Sequence, residues 1–318
     1  MIGVTGGTGF VGRRLVALLA QDAPVRVLAR GAGYSPLADA ESIAGDVTSR
    51  EDVDRLVRGC KSIVHLAGIA HAGLRTRAEK KRAYQVNVEG TRAVLQAALR
   101  HGVERFVFVS TAHVYRAQSG LDIAEDAPIA ANSFYAQTKI EAEELVGQAG
   151  GSQLQAVIVR PCLIYGPGAS LNLERMMRAI DGGYYFHIAG ANPFRSFLSV
   201  ENAARALRYL AVSGTGCGTY NLADRHPRSL IEFANELADR MKRPRPRVVS
   251  SFAAHSAAAI GSAMQRLGIH LPISRDSLAK LTSDFSLGTR RLELAGFEWD
   301  EQVGPVLQET IDHYLRRR

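Results

Sequence analysis

The chain has 318 residues, 46% of them hydrophobic and 22% charged, and a formal net charge of +8. Such a chain can bury a sizeable core in one large or two smaller domains, while three widely separated cysteines, Cys60, Cys162 and Cys217, argue against a disulfide framework or a zinc site. No apolar run is long enough for a membrane span, and the basic clusters at 75–82, 240–247 and 316–318 lack interleaved aromatics, so no integral membrane segment and no nucleic-acid partner are expected.

The chain opens on a short apolar run that meets glycines at Gly6, Gly9 and Gly12, with Leu15, Val16, Leu18 and Leu19 following at helical spacing. Strand, tight turn and helix in that order let the backbone approach a pyrophosphate, whose charge the amides at the helix N-terminus meet. A dinucleotide ligand is therefore expected. Because the first residues already read as a strand, no signal peptide is expected, and a cytoplasmic location is.

Residues 24–29 read as a second strand ending at Arg30. A carboxylate at that place would accept hydrogen bonds from the adenine ribose, whereas an arginine pairs with a 2′-phosphate, so NADP(H) is favoured over NAD(H). Residues 43–47 are a third strand candidate, with Asp46, beside Val47, placed where an adenine amino group is met. A helix-like 50–58 leads to a strand at 62–66, whose exit, Ala67 and Gly68, leaves room for a cofactor. Residues 78–100 read as one long helix carrying Asn87, and 105–109 as a buried strand. Strands alternating with helices imply a right-handed, mostly parallel sheet.

Further on, Tyr135 and Lys139 stand four residues apart in a segment of strong helix propensity, 136–147, which puts them on one face, one turn apart. An ammonium held close to a phenol lowers its pKa, and a positive oxidised nicotinamide would do the same, so this tyrosine could exchange a proton with a sugar or alcohol oxygen.

Taken together, these features resemble the extended short-chain dehydrogenase/reductase family, the NAD-dependent epimerase/dehydratase group acting on nucleotide sugars, over nearly the whole chain. The resemblance implies that Gly6, Gly9, Phe10, Val11 and Gly12 form the cofactor loop and that Leu66, Ala67 and Gly68 lie beside the cofactor. It implies that Thr111 is the catalytic hydroxyl residue, Tyr135 the catalytic tyrosine, and Lys139 the lysine that binds the nicotinamide ribose and tunes it. Residues 157–161 match a sixth strand, whose final Pro161 joins the cofactor contacts; Asn87 would have a structural role in a bent helix. Asn172 and Arg195 would contact the substrate diphosphate, to which a guanidinium's fixed fork is well suited, with Thr111 and Tyr135 also meeting the substrate. Residues 184–192 would line a nucleoside pocket, 252–266 would form a packed or peripheral helix, and 284–297 resemble the family's closing helical segment.

Departures from the family pattern narrow the activity. Residues 160–163 read Arg-Pro-Cys-Leu, without the asparagine common in epimerases and dehydratases; Arg116 stands where a glycine commonly follows the Val-Tyr pair; and Ala112 and His113 stand where dehydratases carry an acid pair. The preferred expectation is a nucleotide-sugar 4-keto reductase acting on a UDP-linked deoxy amino sugar for surface polysaccharide. A UDP-glucose or UDP-N-acetylglucosamine 4-epimerase that keeps its cofactor is the alternative, and a non-catalytic NADP-binding sensor a remote one.

The expected architecture is α/β: a Rossmann-like doubly wound parallel sheet with a smaller C-terminal α/β substrate-binding region. Residues 1–165 would form the first domain and 166–318 the second, interleaved through strands such as 218–222. A homodimer is expected through a four-helix bundle of helices 78–100 and 134–148.

Overall fold

The computed structural model describes residues 1–31, 40–70, 74, 76–117, 119–168, 171–213, 216–266 and 275–318, with side chains at 171, 172, 263, 265, 266, 275–277 and 280 outside the described set. Its centre is a seven-stranded sheet. The strands are β1 (Ile2–Thr5), β2 (Val25–Ala29), β3 (Ala40–Ala44), β4 (Ser62–His65), β5 (Arg105–Val109), β6 (Gln155–Pro161) and β7 (Gly218–Leu222), in spatial order β7-β6-β5-β4-β1-β2-β3. Every pairing in it is parallel. Strands covered on both faces read as continuous apolar runs, which is why Ile2–Thr5 and Ser62–His65 are buried at every position.

Helices cover both faces. On one side α1 (Phe10–Leu19) packs Leu15, Val16 and Leu19 against Leu207 and Leu210 of the helix Val200–Val212. On the other, α2 (Arg50–Val57), the helix formed by α3 (Arg77–Tyr84) and α4 (Gly90–Arg100), and α5 (Phe134–Ala149) bury Leu56, Val94 and Val146. The chain order reverses between β1 and β4, and the crevice beyond the carboxyl ends of those two strands is where doubly wound sheets take their ligands.

A smaller four-stranded sheet draws on both halves of the chain, in the order Arg228–Ser229, Phe194–Arg195, Phe285–Leu287, Gly120–Ile123. In exchange, β7 from the C-terminal half pairs with β6 in the main sheet. A separate apolar cluster under the C-terminal region gathers Tyr165, Leu173, Phe233, Leu237, Leu307 and Ile311.

Three elements differ from their sequence reading. The third strand is Ala40–Ala44 rather than 43–47, because it is the sheet's edge: Glu41 faces solvent and pairs with Arg26 at 2.8 Å, which breaks the apolar pattern. The helix 78–100 is continuous in course but carries a π turn at Gln85–Glu89, centred on Asn87. Residues 284–297 begin with the strand Phe285–Leu287 before the short helix Arg290–Leu294. No helix among the described residues is long and apolar enough to cross a membrane.

Candidate active site

The glycine turn leaves β1 directly into the crevice. Gly6 has φ +70, and a Cβ on it would stand 2.7 Å from the Ala67 nitrogen, so only glycine lets this turn lie against the exit of β4. A Cβ on Gly12 would lie 2.2 Å from the Gly6 carbonyl oxygen. Gly9 caps α1 without a side-chain hydrogen bond, and no acidic residue occupies the first turn of the helix. First-turn amides with no side-chain cap form an anion-binding end, so the residues present fit the pyrophosphate of a dinucleotide.

The other cofactor candidates surround this turn in different ways. Phe10 and Val11 are half-buried, with their side chains against the C-terminal apolar cluster and their backbone in the first turn of α1. Leu66, Ala67 and Gly68 follow β4, with the Ala67 N–H donating to Thr5 Oγ1 at 3.2 Å. Val47 is buried against Gly90. Arg30 is exposed at the end of β2. Asp46 is already engaged: Thr48 donates through N and Oγ1 to Oδ1 at 2.9 and 2.8 Å, and Arg82 to Oδ2 at 2.6 Å. Pro161 is buried at the end of β6, opposite Leu222.

At the neighbouring strand end, Thr111 caps a single 3₁₀ turn, Ala112–Val114, and its Oγ1 accepts from the His113 N–H at 3.3 Å. The Ser133 hydroxyl accepts from the Ala136 N–H at 3.1 Å and so starts α5 immediately before Tyr135. The Thr111 hydroxyl stands near the Tyr135 phenol and acts to lower its pKa. Lys139, 3% exposed, donates to the Val109 carbonyl at 2.6 Å and lies 4.1 Å above the Phe108 ring. The structure thus brings Thr111, Tyr135 and Lys139 together beside Gly68, whose added Cβ would meet Lys139 Nζ at 4.0 Å.

Burial dominates the electrostatics of this pair in the protein alone. It pushes the Tyr135 phenol up to about 12, against the pull of the Thr111 hydroxyl. Burial also brings Lys139 down to about 7, opposed by the nearby Glu143 carboxylate. Lys139 is buried and Tyr135 half-buried, and the short contact of the lysine is to a backbone carbonyl.

Two buried networks hold the set in place. Asn87 Oδ1 accepts from the Ile69 N–H at 2.7 Å, while its amide donates to Thr138 Oγ1 at 2.9 Å and to the Ile69 carbonyl at 3.2 Å. His65, fully buried, joins Thr5 Oγ1 at 2.6 Å to Thr91 Oγ1 at 3.0 Å. Burial, with Lys139 adding to it, brings His65 down to about 3, so the ring is neutral. His65, Thr5 and Thr91 escaped the sequence reading because hydroxyls and an imidazole inside apolar runs have no distinctive spacing.

Arg195 lies apart from these groups in the small sheet, half-buried, opposite Arg228 and near Tyr185 and Asp284. Burial lowers its guanidinium, with Asp284 and Tyr185 acting against that. The side chain of Asn172 is outside the described residues; its backbone lies in the helix Leu171–Asp181. Residues 187–192 line a cavity of about 520 Å³ with Ile231, Asn235 and Arg245.

A family model described as the NAD dependent epimerase/dehydratase family matches residues 2–223. A ketoreductase of Stigmatella aurantiaca acting on 4-hydroxy-2-methyl-3-oxo-4-farnesyl-3,4-dihydroquinoline-1-oxide is 32% identical over 74% of this chain and 72% of its own. A 3-beta-hydroxysteroid dehydrogenase of Mycolicibacterium neoaurum is 30% identical over 98% of this chain and 90% of its own, and a UDP-glucose 4-epimerase of Vibrio cholerae 29% identical over 76% of each. Among solved structures, MoeE5 in complex with UDP-glucose and NAD shares the fold, with a TM-score of 0.72 at 24% identity over 99% of this chain and 98% of that one. With the family model spanning the sheet strands from β1 to β7, the chain belongs to the NAD-dependent epimerase/dehydratase family of enzymes.

Proposed function

We propose that this enzyme reduces the 4-keto group of a UDP-linked deoxy amino sugar, drawing on NADP(H) in preference to NAD(H). The observation that carries the reading is the hydroxyl pair of Thr111 and Tyr135, with Lys139 one turn farther along α5. The dinucleotide, when bound, supplies the hydride and, once oxidised, a positive charge. Tyr135 then gives its proton to the oxygen of the carbonyl being reduced, which leaves as an alcohol, and the phenolate that remains is offset by the Lys139 ammonium. Thr111 hydrogen-bonds the same oxygen and fixes its direction. Burial keeps the Tyr135 phenol protonated, the state from which a reduction starts, and the charge of the oxidised dinucleotide together with Lys139 would ease release of that proton.

Arg195 would take the substrate diphosphate, and the cavity with His187, Asn192, Asn235 and Arg245 among its lining residues would take the nucleoside. The relationship to a UDP-glucose 4-epimerase supports a sugar nucleotide, and Arg30 supports the 2′-phosphate. The helix carrying the π turn and α5, which pack side by side, would pair with their copies in a four-helix dimer. A second reading, reduction of an apolar ring ketone, is favoured by the two relatives at 32% and 30% identity, a ketoreductase and a steroid dehydrogenase.

A panel of UDP-, GDP- and dTDP-linked 4-keto sugars beside a 3-ketosteroid, followed by NADPH absorbance, tests the proposal. Stoichiometric NADPH loss with a UDP-linked 4-keto sugar is expected. Turnover of the steroid alone would overturn the sugar reading, and sugar interconversion without net NADPH loss would make the enzyme an epimerase.

A further inference from the structure

Behind the proposed catalytic set lies a second group of charges that takes no part in the chemistry described above. Glu143 stands one helical turn beyond Lys139 on α5 and is 5% exposed. Arg160, on β6 and 6% exposed, grips it from the side: Nε lies 3.1 and 3.2 Å from the two carboxylate oxygens, and Nη2 donates to Oε2 at 2.6 Å. The Ser110 hydroxyl donates to Glu143 Oε1. Ser110 is the residue immediately before Thr111, and its N–H donates to the Val159 carbonyl at 2.7 Å. One carboxylate is therefore tied to the backbone that carries Thr111 and to the helix that carries Tyr135 and Lys139.

Stability is a weak reason for this arrangement. Two charges taken out of water lose solvation that their mutual attraction only partly restores, and apolar residues of the same volume commonly serve a core as well. The guanidinium completes its contacts with the Glu125 carbonyl at 2.9 Å and the Tyr115 ring at 4.9 Å, so the pair is fully held in one geometry.

We infer that Glu143 is a positioning residue of this enzyme, fixing the Thr111 end of the site through Ser110 and setting the charge of the Lys139 end across one helical turn. The inference rests on the catalytic reading of Thr111, Tyr135 and Lys139. The groups that bear on Lys139 are Glu143 and Tyr135 on its own helix, the neutral His65 on β4, and the Val109 carbonyl on β5. Those that bear on Glu143 are Arg160 on β6, Ser110 after β5, and Tyr115, with Glu125 beyond them. Among the described groups facing Lys139, Glu143 alone supplies negative charge, in keeping with its opposing the effect of burial on that lysine.

The chain has only six lysines, so ¹³C labelling at lysine Cε allows the ionisation of Lys139 to be followed in the full-length protein, with the resonance assigned by its loss in Lys139→Arg. Glu143→Gln leaves Arg160 unbalanced and is expected to lower the Lys139 midpoint by about one pH unit or more, a tenfold change in its proton affinity. Glu143→Gln combined with Arg160→Gln removes both charges at nearly constant volume and is expected to lower the midpoint by less, in the same direction. Ser110→Ala should leave the midpoint in place and reduce kcat for a UDP-linked 4-keto sugar with KM held.

An unmoved midpoint in a folded variant overturns the inference. So does loss of the fold in the double variant, which would make the pair a stability element. Full turnover by Tyr135→Phe would sink the catalytic reading without moving the Lys139 midpoint, so the two failures are separable.

Discussion

The Asn87 side-chain amide donates to the Thr138 hydroxyl at 2.9 Å, and Thr138 in turn donates to the Tyr135 carbonyl at 2.8 Å. The π turn at Gln85–Glu89 brings Asn87 to the point where α5 and the backbone of Ile69 can be held together. Asn87→Ala leaves the Ile69 N–H and carbonyl without this partner. A loss of about 1–3 kcal/mol is expected, the cost of orphaned buried polar groups. Urea unfolding measures it, and a change below a few tenths of a kcal/mol would show the contact to be dispensable.

Tyr135→Phe keeps the ring and removes the acidic proton. Turnover should fall by about 10²–10⁴-fold, the usual contribution of a positioned proton donor, while cofactor affinity stays within a few-fold. Thr111→Val should lose about 10²-fold with the same pattern. Steady-state kinetics beside cofactor titration by fluorescence distinguishes these effects from a folding defect.

Gly12→Ala puts a methyl group 2.2 Å from the Gly6 carbonyl oxygen, a distance no side-chain rotation relieves. The turn must open, and cofactor affinity is expected to drop at least about tenfold, since the helix N-terminus then points away from the pyrophosphate. Calorimetric titration with NADPH reads this directly; unaltered affinity would place the dinucleotide elsewhere.

Arg30→Glu exchanges the exposed cation at the end of β2 for a carboxylate. The ratio of kcat/KM for NADPH to that for NADH should fall at least about tenfold, because the 2′-phosphate loses an ion pair and meets a like charge. A ratio that does not move removes the basis for the NADP(H) preference.

His65 sets a pH dependence of stability. Its folded pKa, about 3, lies below the unfolded value of about 6.5. Between these values the unfolded chain binds more protons, so stability rises with pH through that window and is lost as pH falls through it, by up to about 1.4 kcal/mol per unit. His65→Gln should flatten the slope between pH 4 and 6, as measured by urea unfolding at several pH values; a slope equal to wild type would mean that other groups carry it.

The primary sequence by itself determined the ordered alternation of strands and helices, the glycine turn, and the one-turn spacing of Tyr135 and Lys139. Those features are local: apolar runs, glycine spacing and helical periodicity involve residues a few positions apart. Spacing could not reveal that Phe10 and Val11 rest against the C-terminal apolar cluster, that Asp46 already holds Arg82, or that Gly120–Ile123 joins strands from the far end of the chain. Nor could it show that burial raises the Tyr135 phenol, or that Glu143 meets Arg160 and Ser110. Desolvation and ion pairing depend on what the sheet brings together across many residues, and that was decided only when β4, β5, β6 and α5 closed around the same small volume.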